Sequence, residues 1–234
     1  LSEISRVFRY AVATGRVARD PCPDLRGAIP SRKATHHPAV TQPKDVAALL
    51  RAIDAFEGSF TVQSALRMSP YVFVRPGELR RAKWADIDLA GKVWRIPAEV
   101  MKMREPHVVP LAKQVVAILE ELKPVSGHLE HVFKGGWDPL KPMSEAAVNA
   151  ALRRLGYDTR SEMTGHGFRA MARTILEEQL DYDPSVIEPQ LAHKTPGPLG
   201  ATYNRARHMA KRAAMMQEWA DYLDKLKQNS PVTQ

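Results

Sequence analysis

Cysteine is nearly absent: Cys22 is the only one in 234 residues, which rules out a disulfide within the chain and any cysteine-rich zinc site. A reducing, cytoplasmic setting fits that usage, and a metal would have to be held by His and carboxylate alone. No run approaches the roughly 20 apolar residues that cross a bilayer, and the N-terminus lacks the basic-then-apolar layout of a signal peptide. A soluble, non-exported protein is the expectation. Aromatics are scarce at 7%, without the clustered stacking residues of common RNA-binding sheets. What is plentiful is positive charge. The 34 Lys and Arg against 26 Asp and Glu leave a net charge of +8 and a pI near 9.7, which favours a polyanionic partner such as nucleic acid. The plain alternative is a basic solvated surface, since charge bears on partners and not on fold.

With 44% hydrophobic residues the chain can bury one substantial core. It opens on Leu1 rather than Met, inside a pattern that sets Ile4, Val7, Phe8 and Ala11 on one helical face. So short a stripe needs a partner surface to be stable; residues 1–20 therefore read as the last helix of a preceding domain, and the chain as a fragment. From Asp20 to Pro43 the prolines 21, 23, 30, 38 and 43, with Gly27 and the basic pair Arg32 and Lys33, leave no apolar period. Residues 21–43 read as a linker, 44–228 as the main domain and 229–234 as a disordered tail.

Within the main domain, Thr41 is a candidate N-cap with Pro43 in the first turn of a helix carrying Val46, Leu49, Leu50, Ile53 and Phe56. A second helix runs from Val62 through Ala65, Leu66 and Ser69 to Phe73. Pro76 pushes Arg75 off helical angles and opens a short helix, Pro76 to Trp84, which holds the arginine at a helix mouth. Between Ile87 and Leu111 the period changes: Gly91 turns the chain, and Val93 to Ile96 and His107 to Leu111 are extended runs around Lys102, a small antiparallel sheet. Helices resume over Val115 to Leu122, from Ser144 through Val148, Ala151, Leu152 and Leu155, and near His166 with Phe168, Met171, Ala172, Ile175 and Leu176 facing the core. Gly127 to Pro142 reads as an irregular loop, the stretch around Pro184 and Pro189 as breaker-rich, and Pro196 to Gly200 as a loop ahead of Tyr203. The last helix carries Met215, Trp219, Tyr222 and Leu226. The expected fold class is mainly α with a small antiparallel β-sheet (α+β).

Four segments could carry chemistry: Val-Arg-Pro-Gly-Glu-Leu around Arg75, Met-Lys-Met-Arg around Lys102, His-Gly-Phe-Arg from His166 to Arg169, and Leu-Ala-His-Lys ahead of Tyr203. His166 and Arg169, three apart, emerge on one helical face, and Gly165 leaves room for a ligand at that helix start. Unpaired N–H donors there, with planar forks from Arg75 and Arg169, would suit a phosphate. Singly, each residue has an ordinary reading. Arg75 with Glu78 would be a surface ion pair of little worth, His166 a turn cap, Lys102 a solvated hairpin residue, and Tyr203 an amphipathic core tyrosine. Five residue types in one order, each with fitting local structure, weigh against that.

On these residues the sequence resembles the tyrosine recombinases, the phage integrase family, and in particular the integrases of prophages and genomic islands. The similarity runs from the linker to the last helix and includes Trp84 to Leu89, Leu152 to Tyr157 and Trp219 to Leu223. The resemblance implies that family's catalytic-domain fold, with Arg75, Lys102, His166, Arg169, His193 and Tyr203 as catalytic residues and Glu78 in support. It implies attack by Tyr203 on a DNA phosphodiester to give a 3′-phosphotyrosine, Arg75 and Arg169 on the non-bridging oxygens, proton transfer by His166, protonation of the leaving 5′ oxygen by Lys102, and donation to the phosphate by His193. Arg104 and Lys194 would add DNA contacts. Neither ATP, a metal nor another cofactor is implied, because the covalent link preserves the ester's energy. The implied partners are double-stranded attachment-site DNA, three further protomers on two synapsed sites and DNA-bending accessory proteins, in a bacterial cytoplasm. Ala192 departs from the family, which more often has Gly there; the turn tolerates Ala only if its backbone angles are ordinary. The competing readings are a catalytically silent or truncated DNA-binding relative of the same fold and a non-enzymatic basic module binding RNA or an acidic protein.

Overall fold

The structure, a computed structural model, describes residues 1–25, 27–28, 37–193 and 200–228, with the backbone alone over 200–208. It divides into two compact units, Leu1–His36 and His37–Gln234. The first is built on helix α1 (Ser2–Ala13). The Ser5 hydroxyl hydrogen-bonds the Asp20 carboxylate, which also accepts from the Cys22 amide at 2.9 Å. The expected apolar stripe forms, but Ile4 and Val7 remain 53% and 68% exposed. The expected tail, 229–234, lies outside the described residues.

The second unit forms around α3 (Phe60–Val72), which touches α2 (Pro43–Asp54), α4 (Pro76–Arg80), α5 (Lys113–Ser126), α6 (Ala147–Arg154), α7 (Gly167–Glu178) and α9 (Gly200–Gln228). Its residues Ala65, Leu66, Met68 and Val72 are wholly buried, as a helix covered on most sides requires. Pro70 brings no N–H to the ladder; its carbonyl instead accepts from the Trp219 indole of α9 at 2.9 Å. The helix stops at Phe73, whose φ of +37° is left-handed. This turn redirects the chain into the extended Val74 and Arg75.

Pro43 opens α2 as expected, with Gln42 rather than Thr41 at the N-cap. Strands β1 (Ile87–Asp88), β2 (Val93–Ile96) and β3 (His107–Pro110) form an antiparallel sheet in that order, with Ile96 opposite His107 and Val93 opposite Pro110. The fold is thus mainly helical with a small antiparallel sheet, as the periodicities indicate. In α9, Met215 and Trp219 are fully buried. Among the described residues no helix is long and apolar enough to cross a membrane.

Three boundaries differ from expectation. The helix begun by Pro76 ends at Arg80, followed by a 3-10 turn over Trp84–Asp86. Helix α6 begins at Ala147 rather than Ser144, after a turn in which the Ser144 hydroxyl accepts from the Ala146 amide at 3.3 Å. The segment expected to be breaker-rich is a helix, α8 (Pro184–Gln190). Its physical reason is the Asp183 side chain, which caps the Ser185 amide at 2.7 Å and leaves Pro184 at N1, where its missing N–H costs nothing.

Candidate active site

Arg75 is the N-cap of α4, with φ −66° and ψ 142°, the extended geometry that a following proline imposes. Glu78 binds it twice, accepting from the Arg75 amide at 2.9 Å and from its guanidinium at 2.8 Å. The surface-pair reading fails here, because the Glu78 side chain is only 3% exposed. A buried carboxylate fixes the guanidinium from one side and leaves its NH2 arm directed at the Ala192 carbonyl, 3.4 Å away.

Arg169, in the first turn of α7, is 5% exposed. Its guanidinium donates to the Phe73 carbonyl at 3.1 Å and the Leu191 carbonyl at 2.6 Å, and its NH2 lies 3.2 Å from His193 Nε2. The left-handed stop of α3 therefore supplies one acceptor, and the end of α8 supplies the next. Burial first and the neighbouring Arg75 charge second lower its pKa to about 10, so it stays cationic near neutrality. None of its acceptors is a carboxylate.

Two guanidiniums remote in sequence thus meet at the carbonyls of consecutive residues, Leu191 and Ala192. His193 follows directly. Because a guanidinium can only donate, His193 Nε2 accepts from Arg169 and its proton sits on Nδ1, which approaches Glu188 Oε2 at 2.5 Å. Glu188 also pairs with Arg173 at 2.8 Å. Burial acts to raise the Glu188 pKa, but the hydrogen bonds from His193 and Arg173 outweigh it and the net shift is downward.

His166 is the N-cap of α7 and half-buried. Burial, then the charges of His37, Arg169, Arg75 and His193, lower its pKa to about 4; it is a neutral imidazole at pH 7, able to accept a proton. The glycine before it does not leave room for a ligand as expected. A Cβ on Gly165 would lie 3.1 Å from Val148 and 3.5 Å from Asn149 and from Pro76, so this glycine lets α6 and α4 close on the helix start, and its amide donates to Asn149 Oδ1 at 2.8 Å.

Lys102 is exposed in the turn joining β2 to β3 and makes no hydrogen bond or ion pair among the described residues. Arg104, in the same turn, has φ +53° and is also exposed. Lys194 lies outside the described residues, as does the stretch expected to loop ahead of Tyr203 except Gly200, which opens α9. Tyr203 falls on the first turn of α9 by its backbone; its side chain lies outside the described set.

Several contributors were not singled out by the sequence: Glu188, His37, and a buried polar group behind the site. Arg212 of α9, 6% exposed, donates to Gln190 Oε1 at 3.0 and 2.5 Å and to the Val108 carbonyl at 2.5 Å, and His107 Nε2 lies 3.1 Å from the Gln190 carbonyl. This group ties α9 and β3 to the end of α8. A signal for Glu188 existed in the Asp-Pro helix start that places it one turn into α8.

Solved structures share this fold. A lambda integrase (residues 75–356) dimer bound to a COC′ core site superposes with TM-score 0.58 at 20% identity, covering 83% of this chain and 70% of that one. The integrase of mycobacterium phage Brujita does so with TM-score 0.60 at 13% identity, covering 96% and 75%. At such identities the likeness speaks to the fold. The sequence model of the phage integrase family matches residues 39–209, and the chain belongs to that family. It is 40% identical to the integrase of Enterobacteria phage P4 over 94% of this chain and 53% of the relative. It is likewise 40% identical to the prophage integrase IntZ of Escherichia coli (strain K12), over 95% and 54%. The chain therefore spans about half the length of these relatives.

Proposed function

We propose that this chain is the catalytic domain of a site-specific DNA recombinase that breaks and rejoins strands through a 3′-phosphotyrosine at Tyr203, in the integration or excision of a mobile element. The observation that carries this reading is the convergence of Arg75 and Arg169 on the Leu191 and Ala192 carbonyls, with a neutral His166 and a carboxylate-held His193 beside them. Arg169, bonded only to neutral acceptors, retains its positive charge, and Arg75, paired with Glu78 on one side, keeps N–H groups on the other for a phosphodiester. Their effect grows as charge accumulates on the non-bridging oxygens in the transition state.

In this mechanism the Tyr203 oxygen attacks phosphorus, the bond to the 5′ oxygen breaks, and the 3′ phosphate stays on the enzyme. His166 takes up the phenol proton and Lys102, exposed on the β2–β3 turn, protonates the departing oxygen. Attack by a 5′-hydroxyl from another strand reverses the step and completes exchange. The partner is duplex DNA, contacted also by Arg104 and Lys194; four protomers would act on two synapsed sites, with DNA-bending proteins assisting. Residues 1–20 would close a preceding domain that clamps the duplex against this one.

The test is to incubate the full-length protein with a nicked attachment-site duplex and look for protein-linked DNA on a denaturing gel. A band lost in Tyr203→Phe is expected. A band that survives the substitution removes Tyr203 as nucleophile, and DNA binding with no band from the unaltered protein points to a silent relative.

A further inference from the structure

The imidazole of His166 has little to hold it. Among the described residues its ring nitrogens make no hydrogen bond, and the one ring it meets is that of His37, with centroids 4.3 Å apart and planes at 43°. His37 is held there by its neighbours. A Cβ on Gly167 would come within 2.4 Å of the Pro38 carbonyl and 3.2 Å of the Ala39 Cα, so the glycine lets this segment cross the first turn of α7 in direct backbone contact. Ala39 and Val40 then pack against the core, which leaves His37 over the exposed edge of His166.

We propose that His37 is a positioning residue of this site: its ring, laid against His166, fixes the orientation of the imidazole that exchanges a proton with Tyr203. The inference rests on the recombinase reading for the proton's destination, but the ring contact stands without it.

An imidazole with no hydrogen bond among the described residues is not fixed by them in its rotation about the Cβ–Cγ bond, and proton transfer needs a nitrogen within hydrogen-bond reach of the phenol. Packing by a second ring restricts that rotation at little electrostatic cost. The groups around His166 act in one direction. Arg169 on α7, Arg75 at the mouth of α4 and His193 after α8 all contribute positive charge or none, as does His37. From α6 comes the neutral Asn149, occupied with the Gly165 amide. The carboxylates of Glu78 and Glu188 are engaged by Arg75, Arg173 and His193. Removing His37 deletes one opposing charge and opens the ring to water, and both changes ease protonation of His166.

The test uses full-length protein with His37→Ala and His37→Phe. Single-turnover cleavage of the nicked duplex at pH 7 should fall roughly tenfold in the Ala variant, with DNA affinity within about twofold, and the Phe variant should recover most of the rate, as expected for a lost orientation rather than a lost proton carrier. In an imidazole NMR titration, the His166 midpoint should move up in both variants. An Ala variant that cleaves at the unaltered rate, a rate loss matched by an equal loss of affinity, or an unmoved His166 midpoint would each overturn the proposal. Should the unaltered protein form no covalent adduct, the recombinase reading fails, while the NMR titration still decides the contact between the two histidines.

Discussion

Ala192→Gly should stabilise the protein, and the reason lies in how α8 ends. The His193 amide donates to the Glu188 carbonyl and the Ala192 amide to the Pro189 carbonyl, both at 3.1 Å, which is the Schellman arrangement with Ala192 at the C′ position. That position demands a left-handed residue, and Ala192 has φ +51°. Its angles are therefore not ordinary, and the alanine is strained where the wider family's glycine would not be. A Cβ in this region costs about 1–2 kcal/mol, against which glycine brings about 0.5–1 kcal/mol of extra unfolded-state entropy. The net gain is about 0.5–1 kcal/mol, which in a chain of this size raises Tm by about 1–4 °C. Calorimetry on the two proteins side by side checks this. Ala192→Val, β-branched at the same angles, should melt lower than either and should cleave more slowly, since the Leu191 and Ala192 carbonyls that hold both guanidiniums sit on this turn. A valine variant as stable as the glycine variant would refute the argument from strain.

Glu188→Gln keeps the shape of the carboxylate but weakens its hold on His193 Nδ1; cleavage should drop about tenfold while urea unfolding shifts by no more than about 1 kcal/mol. Arg212→Met leaves Gln190 Oε1 and the Val108 carbonyl without their donor, and urea titration should record a loss of about 2–4 kcal/mol. His107 is 7% exposed, and its pKa is lowered from 6.5 to about 3 by burial first and the Arg212 charge second. The unfolded chain therefore binds more protons than the folded one between those values. Its stabilising contribution is complete above about pH 6.5 and disappears as pH falls toward 3, on the order of 5 kcal/mol in all. His107→Gln should flatten that part of the stability profile, measured by denaturant titration at successive pH values.

What the sequence revealed of this site depended on how far each residue's geometry is set by its neighbours in the chain. Arg75 was legible because Pro76 constrains both its backbone and the helix that follows, and the sheet was legible from two extended runs about Gly91 and Lys102. Helix α8 was missed by counting Pro184 and Pro189 as breakers, although Asp183 before Pro184 is a helix-start signal. With α8 went Glu188, whose place beneath His193 follows from the helix and its cap together. Gly165 and Gly167 were visible beside His166, but they mark close approach of α6, α4 and the Pro38 carbonyl rather than access for a ligand. Arg212, Gln190 and His107 meet across three elements far apart in sequence; no periodicity or spacing anticipates such a contact. Lys102 was placed correctly in the hairpin turn, yet that turn leaves it in solvent.

These features converge on the end of α8, and together they explain why the charge is tolerated there. Arg169 is buried with carbonyls for acceptors and a second guanidinium close enough to lower its pKa, so its charge carries a desolvation cost that no directly bonded carboxylate offsets. Glu78 offsets Arg75 directly, whereas Glu188 is held beyond His193 and turned toward Arg173, so neither carboxylate sits where both guanidiniums could share it. An anion placed between the two arginines would complete the pairing that the protein itself leaves open. The Schellman turn at Ala192 is the element that points the Leu191 and Ala192 carbonyls at the guanidiniums and sets His193 beside them. The orientation of these three side chains comes from the turn itself, which glycine would keep, while the cost that the site carries for its function is the burial of Arg169 without a bonded carboxylate.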